Sequence, residues 1–446
     1  MIEAPERIYW EVTRGCNLRC LHCRATPTEL SSSDDLTTQQ CYRIMDQIAQ
    51  VCKPALVLTG GEPLLREDIY DLGEYGALKG FRMGLATNGT LITFETAYWL
   101  LNSGFRRVSV SLDGPDASTH DPFRKMPGAF ETAVEGVRQL KEAGLYVQIN
   151  TTVTTHNASR LEEILSLVAR LSADAWHLFL LVPVGCGLQI AEEMQLQAKE
   201  YERVLNWIED RASEAPFKIG PGAKDYGAHF DIRPICAPHG TRVRAQRSLI
   251  DRWLGRSPGG AAGRTPLRQT GRGCTAGSEI CFISHRGKVY PCGYLPLEAG
   301  DLTTETFREV WSHSPVLSNL RDTSLLKGKC GECEFQHLCG GCRARAYGMS
   351  GDYLEAEPYC LYRPGTFTAL GVDERQILSG LIDLPFSRAW TDEARVQLFY
   401  IPYALRHQVV EKVEHYAALH GIDPITPEAM NVARAEGEGK KPWQAS

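Results

Sequence analysis

Six short apolar runs, at residues 8–13, 55–58, 81–86, 107–112, 145–152 and 175–182, read as buried strands. Between them, residues 36–51, 66–79, 94–103, 129–143 and 159–171 carry apolar side chains at helical spacing, with Asp34 or Asp35 the expected first cap. Strands that alternate with helices in this way specify βα units and a parallel sheet. The expected fold class is α/β. Six such strands before residue 185 suit a partial (β/α)6 barrel better than an eight-stranded one.

Polar or glycine-rich signals fall where the strands end. They are a cysteine loop after residue 13, Gly60-Gly61-Glu62-Pro63, Thr87-Asn88-Gly89, Ser111-Leu112-Asp113-Gly114, Asn150-Thr151 and Val182-Pro183-Val184-Gly185. Loops at the C-terminal ends of barrel strands build the active site, so six loops converge on one site. This is an enzyme pattern.

The first loop carries Cys16, Cys20 and Cys23, with three residues between the first pair and two between the second. Soft thiolates select Fe–S clusters, zinc or Cu(I). A zinc knuckle expects paired Cys or Cys/His sets, whereas three thiolates on a cluster leave one iron open to an outside ligand. The chain holds fifteen cysteines and eight of them fall between 274 and 360, a density that in a cytoplasmic protein means metal ligands rather than disulfides. Cys41 and Cys52, on a helical pattern, read as small core residues.

A net charge of −6 argues against nucleic-acid binding. The N-terminal residues show no basic-then-apolar signal pattern, and the longest apolar stretch is too short to span a bilayer, so a cytoplasmic location is expected. Four regions are expected: 1–215, the barrel; 216–273, a bridging segment; 274–366, the second cysteine region; and 367–446, a helical tail. Between 242 and 272 the bridge holds eight Arg against one acidic residue, which fits a solvated linker or a flap for an anionic substrate.

Together these motifs resemble the radical S-adenosylmethionine (SAM) family over about residues 7–185. The resemblance implies a 4Fe–4S cluster on Cys16, Cys20 and Cys23 whose open iron takes SAM. It further implies SAM contacts from Gly60, Gly61, Glu62, Ser111, Asp113, Arg124 and Asn150, and gives His22 either a stacking role on adenine or a plain packing one. The second cysteine region resembles the SPASM extension, with its run Cys330-x2-Cys333-x5-Cys339-x2-Cys342, where the family often has three residues in the last gap. That likeness implies two auxiliary 4Fe–4S clusters, one on Cys274, Cys281, Cys292 and Cys342, the other on Cys330, Cys333, Cys339 and Cys360.

Tyr9-Trp10-Glu11-Val12-Thr13-Arg14-Gly15, Cys236-Ala237-Pro238-His239 and Cys339-Gly340-Gly341-Cys342-Arg343 look like the tetrapyrrole-modifying branch, nearest its heme b synthases. Residues 390–435 look like the domain that ends a light-independent protochlorophyllide reductase subunit. The branch implies oxidative decarboxylation of iron-coproporphyrin III propionates to vinyls, with heme d1 biosynthesis, didecarboxysiroheme deacetylation or peptide modification as alternatives. The implied partners are an iron tetrapyrrole and a reductant such as a flavodoxin or ferredoxin. Cys236 and His239 are candidate ligands to the substrate or its iron.

Overall fold

The computed structural model describes residues 3–28, 30, 33–213, 231–253, 273–364, 384, 386–398 and 403–437. The Gly/Pro-rich end of the basic segment, 254–272, lies outside the described residues. Strands β1 (Arg7–Thr13), β2 (Ala55–Gly60), β3 (Arg82–Thr87), β4 (Phe105–Ser111), β5 (Tyr146–Val153) and β6 (Ala175–Leu180) pair in sequential order, all parallel. Helices Thr38–Ala49, Ile69–Leu78, Phe94–Asn102, Ala129–Glu142 and Leu161–Arg170 connect them. The first is capped by Thr37 rather than Asp34 or Asp35. Thr37 accepts from the Gln40 amide while the Gln40 side chain accepts from the Thr37 amide, a reciprocal pair that satisfies two end donors. Asp35 instead accepts from Arg14 N at 3.2 Å.

The sheet continues beyond residue 182 on both sides. Strand β7 (Asp231–Ile235), from the stretch read as a bridge, joins β6 in parallel, and helix His239–Trp253 follows it. At the other edge β8 (Ile280–Ile283) runs parallel to β1, followed by antiparallel β9 (Lys288–Tyr290) and β10 (Gly300–Asp301). Among the described residues the two end strands do not pair, so the sheet they form stays open.

One apolar core runs through both regions. Ile8, Trp10 and Val12 of β1 share it with Trp176 of β6, Cys281 of β8, and Phe307 and Trp311 of the second cysteine region. Each such side chain contributes about 1.5–3 kcal/mol on burial. Cys41 is fully enclosed in this core, and Cys52 packs against it. The C-terminal helices Asp392–Gln397, Tyr403–His420 and Pro427–Gly437 form around a separate core that includes Trp390, Val410 and Ile425. There the buried Glu414 carboxylate accepts from Ser387 N and Trp390 Nε1, both at 2.9 Å.

Candidate active site

The loop after β1 is built against the loop after β2. Gly61 N donates to Thr13 O at 2.9 Å, and Glu62 N donates to Gly15 O at 2.8 Å. A Cβ on Gly61 would fall 2.1 Å from Gly15 O, so only glycine allows this approach. Asn17 ties the same loop to the end of β3, donating to Thr90 Oγ1 and accepting from Asn88 Nδ2, both at 2.8 Å. Arg19 closes the turn through the carbonyls of Cys16 and Leu18.

A cavity of about 1180 Å³ opens at this end of the sheet. Cys16, Cys20, Cys23, Gly60, Gly61, Ser111, Arg124 and Asn150 all line it. Ser111 and Asn150 are register partners on β4 and β5. Burial pushes the Cys16 thiol up to about 11 and raises Cys23 as well. Ligation by a cation is what would hold such thiols as thiolates. Leu18 N already donates to Cys16 Sγ at 3.3 Å, and Arg124 Nη1 to Cys20 Sγ at 3.5 Å. The trio fits an anionic iron–sulfur centre.

Two residues expected at SAM stand behind the wall instead, and both are fully buried. The Glu62 carboxylate caps the turn that follows it, accepting from Leu64 N, Thr87 Oγ1 and Asn88 N at 3.2, 2.8 and 2.8 Å. Burial nevertheless pushes it up to about 7, against those three bonds. Asp113 pairs with Arg124 Nη2 at 2.7 Å and accepts from Thr152 N at 2.7 Å. Burial works to raise this carboxyl, but the Arg124 guanidinium beside it, with the Thr152 amide, outweighs that and holds it below the usual range. Asp113 thus fixes Arg124, whose buried Nε has no protein partner and whose side chain faces the cavity. That orphan donor suits a carboxylate such as that of SAM. His22 also lines the cavity and stacks on Phe123, ring centroids 4.1 Å apart.

The same cavity wall includes Cys236, Cys274, Cys292 and Cys342. Arg24, next to Cys23, lies over the Phe282 ring at 4.3 Å, and its side chain lies 3.5 Å from a Cβ placed on Gly293, next to Cys292. Residue spacing did not reveal Arg24 or Tyr294 as wall residues. Cys281 is elsewhere, enclosed in the core on β8.

Cys330, Cys333, Cys339 and Cys360 line a second, small pocket together with His239 and Arg242. His239 therefore sits beside this cysteine quartet, while Gly240, Thr241, Arg244 and Ala245 of the helix it begins line the large cavity. Burial keeps its ring neutral, well below the ordinary histidine value. Cys330 Sγ accepts from Glu357 N at 3.4 Å and Arg343 Nη2 at 3.8 Å. A Cβ on Gly341 would come within 3.2 Å of the same sulfur. Four thiols, N–H donors to sulfur and a glycine cradle fit a second cluster.

Fold and site define an iron–sulfur enzyme on an open, largely parallel sheet. The chain belongs to the radical SAM superfamily, whose family model matches residues 10–168, and an iron-sulfur cluster-binding SPASM domain matches 274–342. It is 42% identical over 366 residues to an AdoMet-dependent heme synthase from Methanosarcina barkeri, covering 82% of this chain and 99% of that protein. It is 32% identical to a pre-heme d1 synthase from Dinoroseobacter shibae, covering 82% and 89%. The Streptococcus suis SuiB structure bound to S-adenosylmethionine superposes with a TM-score of 0.62 at 16% identity, covering 81% of this chain and 78% of that one. The cofactors of this enzyme are accordingly a 4Fe–4S cluster with SAM, and auxiliary clusters.

Two outcomes follow from the buried charges. Arg124→Ala leaves the Asp113 carboxylate enclosed and unpaired, which costs about 3–5 kcal/mol and weakens SAM binding. Chemical denaturation and equilibrium dialysis measure both, and a stability within about 1 kcal/mol of wild type would contradict the pairing. Glu62 has a folded pKa above its ordinary value, so its contribution is fully present below about pH 4.5 and is lost as pH rises through about 7. In urea titrations of the metal-free chain from about pH 5 to about pH 8, wild type should fall relative to Glu62→Gln by up to about 3 kcal/mol. A pH-independent difference would rule this out.

Proposed function

We propose that this enzyme is an oxidative decarboxylase that converts propionates of iron-coproporphyrin III to vinyl groups, giving heme b. One observation carries the reading: Cys16, Cys20 and Cys23 share a cavity wall with Cys274, Cys292 and Cys342. A propionate becomes a vinyl by losing a β-hydrogen atom, CO2 and one electron. The chemistry therefore asks for a hydrogen-atom acceptor and an electron acceptor around one substrate. The likeness to a heme synthase over nearly that protein's whole length supports the tetrapyrrole class.

SAM and its cluster, bound at Cys16, Cys20 and Cys23, would supply the hydrogen-abstracting radical. Gly60 and Gly61 would let the methionine end of SAM approach backbone, and Arg124 would take its carboxylate. Ser111 and Asn150 would face the ribose, while Glu62 and Asp113 brace the wall from behind. For substrate carboxylates the wall offers Arg24, whose Nη1 pairs with Glu11 at 3.2 Å and whose buried Nη2 has no protein partner. A cavity of about 1180 Å³ exceeds the roughly 300–1,000 Å³ that one small ligand needs, leaving room for SAM beside a second molecule.

Cys274, Cys292 and Cys342 would hold an auxiliary cluster, which would supply an electron acceptor beside the substrate, and Cys330, Cys333, Cys339 and Cys360 would hold a second one. A flavodoxin or ferredoxin would supply the first electron, in the cytoplasm. Among the described residues no helix is long and apolar enough to cross a membrane.

A second reading, another step on an iron tetrapyrrole, is favoured by the likeness to pre-heme d1 synthase. Mass spectrometry on the anaerobically reconstituted enzyme, with SAM, a reductant and a panel of iron porphyrins, separates the two. Mono- and divinyl products from iron-coproporphyrin III are expected. Formation of 5′-deoxyadenosine with no vinyl product would overturn the proposal.

A further inference from the structure

Family spacing puts Cys281 with Cys274, Cys292 and Cys342, but strand parity sends it the other way. Successive side chains of a strand point to opposite faces. On β8, Ile280 and Phe282 face the large cavity, while Cys281 and Ile283 are fully enclosed on the opposite face, in the main core. Cys281 pairs in register with Ile8, itself a core residue of β1. Cys52, which packs against the same core, lies within its electrostatic reach, and none of Cys274, Cys292 or Cys342 is among the groups that act on it. Moving Cys281 into the cavity would require a one-residue slip that turns Ile280 and Phe282 into the core and Ile283 out of it.

Another thiol stands where the fourth ligand is needed. Cys236 lines the cavity with Cys274, Cys292 and Cys342 and lies within electrostatic reach of all three. Cys236 and Cys292 both pack on the apolar patch that contains Cys342. The backbone at Cys236 is left-handed, with φ +54°, one of three non-glycine residues with positive φ among those described. For a cysteine this conformation costs on the order of 1–3 kcal/mol and persists only where its surroundings impose it. Here Arg345 Nη2 donates to the Cys236 carbonyl at 2.9 Å, and Tyr201 OH donates to it at 3.4 Å. Arg345 also pairs with Glu357 at 3.2 Å, and the Glu357 carboxylate accepts from Cys342 N at 2.9 Å. One buried ion pair therefore sets the backbone of Cys236 and of Cys342 together.

We propose that Cys236 is the fourth thiolate of the auxiliary 4Fe–4S cluster on Cys274, Cys292 and Cys342, and that Cys281 is a core residue. Four thiolates complete the usual ligand set of such a cluster. The guanidinium of Arg345 then stands beside two of the four sulfurs and offsets their charge. The assignment rests on the SPASM cofactor but not on the tetrapyrrole substrate, since cluster content is read with no substrate present.

The test compares full-length Cys236→Ala, Cys236→Ser and Cys281→Ala, reconstituted anaerobically, by iron and sulfide content and by electron paramagnetic resonance after reduction. Cys236→Ala should lose about a third of the bound iron together with one of the auxiliary signals. Cys236→Ser, whose oxygen can still ligate, should recover the iron with shifted g values. Cys281→Ala should keep all signals and all iron. In every variant the SAM-induced change in the first cluster's signal should survive, which shows that the fold is intact. Loss of an auxiliary cluster in Cys281→Ala with unchanged spectra in Cys236→Ala would overturn the assignment. So would disappearance of the SAM-responsive signal in both Cys236 variants.

Discussion

Strand β1 is hydrogen-bonded on both sides, to β2 through residues 7–13 and to β8 through residues 7–10. The site depends on that double pairing. Because β2 runs parallel to β1, the loop with Cys16, Cys20 and Cys23 emerges at the same sheet end as the Gly60-Gly61 turn, while β8 runs parallel on the other side and antiparallel β9 carries the chain back along it to Cys292. Strand pairing thus brings residues nearly 300 positions apart in sequence onto one wall. Arg345 fastens the far side, with its guanidinium reaching the carbonyls of Leu180 and Leu181 at the end of β6 as well as Cys236.

Two buried ion pairs do different work in this frame. Asp113 and Arg124 hold a cation at the mouth of the first cysteine loop, and Arg345 and Glu357 align the second cysteine set. Neither pair is a strong source of stability in itself, because desolvation offsets much of the attraction. What each supplies is position, since every lost partner would leave a charge enclosed. A site that must exclude water around a reactive species needs fixed groups of this kind.

The regular elements were legible because their periods are distinct. All six barrel strands before residue 185 lie within a few residues of the apolar runs that announced them. Strand β7 was not, and Asp231-Ile232-Arg233-Pro234-Ile235 shows why. It carries two charges and a proline, which lacks a ladder donor and is tolerated because β7 is an edge. The cap at Thr37 was hidden by two nearer-looking aspartates, and only the Gln three residues on marks it. Within the site, spacing identified the cavity-lining cysteines but not which way each faces. Cys281 fits a ligand count and fails on strand parity, while Cys236 lies too far upstream to enter that count. Glu62 and Asp113 were expected in contact with the cofactor. Their enclosure came from tertiary partners such as Thr87, Asn88 and Thr152, which no local pattern announces.

The central claim is that the two cysteine sets face one cavity. Electron spin relaxation in the fully reduced, fully loaded enzyme tests it most directly. The signal of the cluster on Cys16, Cys20 and Cys23 should relax faster in wild type than in Cys342→Ala, where the neighbouring paramagnet is removed. Identical relaxation in the two proteins, with all clusters of the wild type reduced, would contradict a shared site.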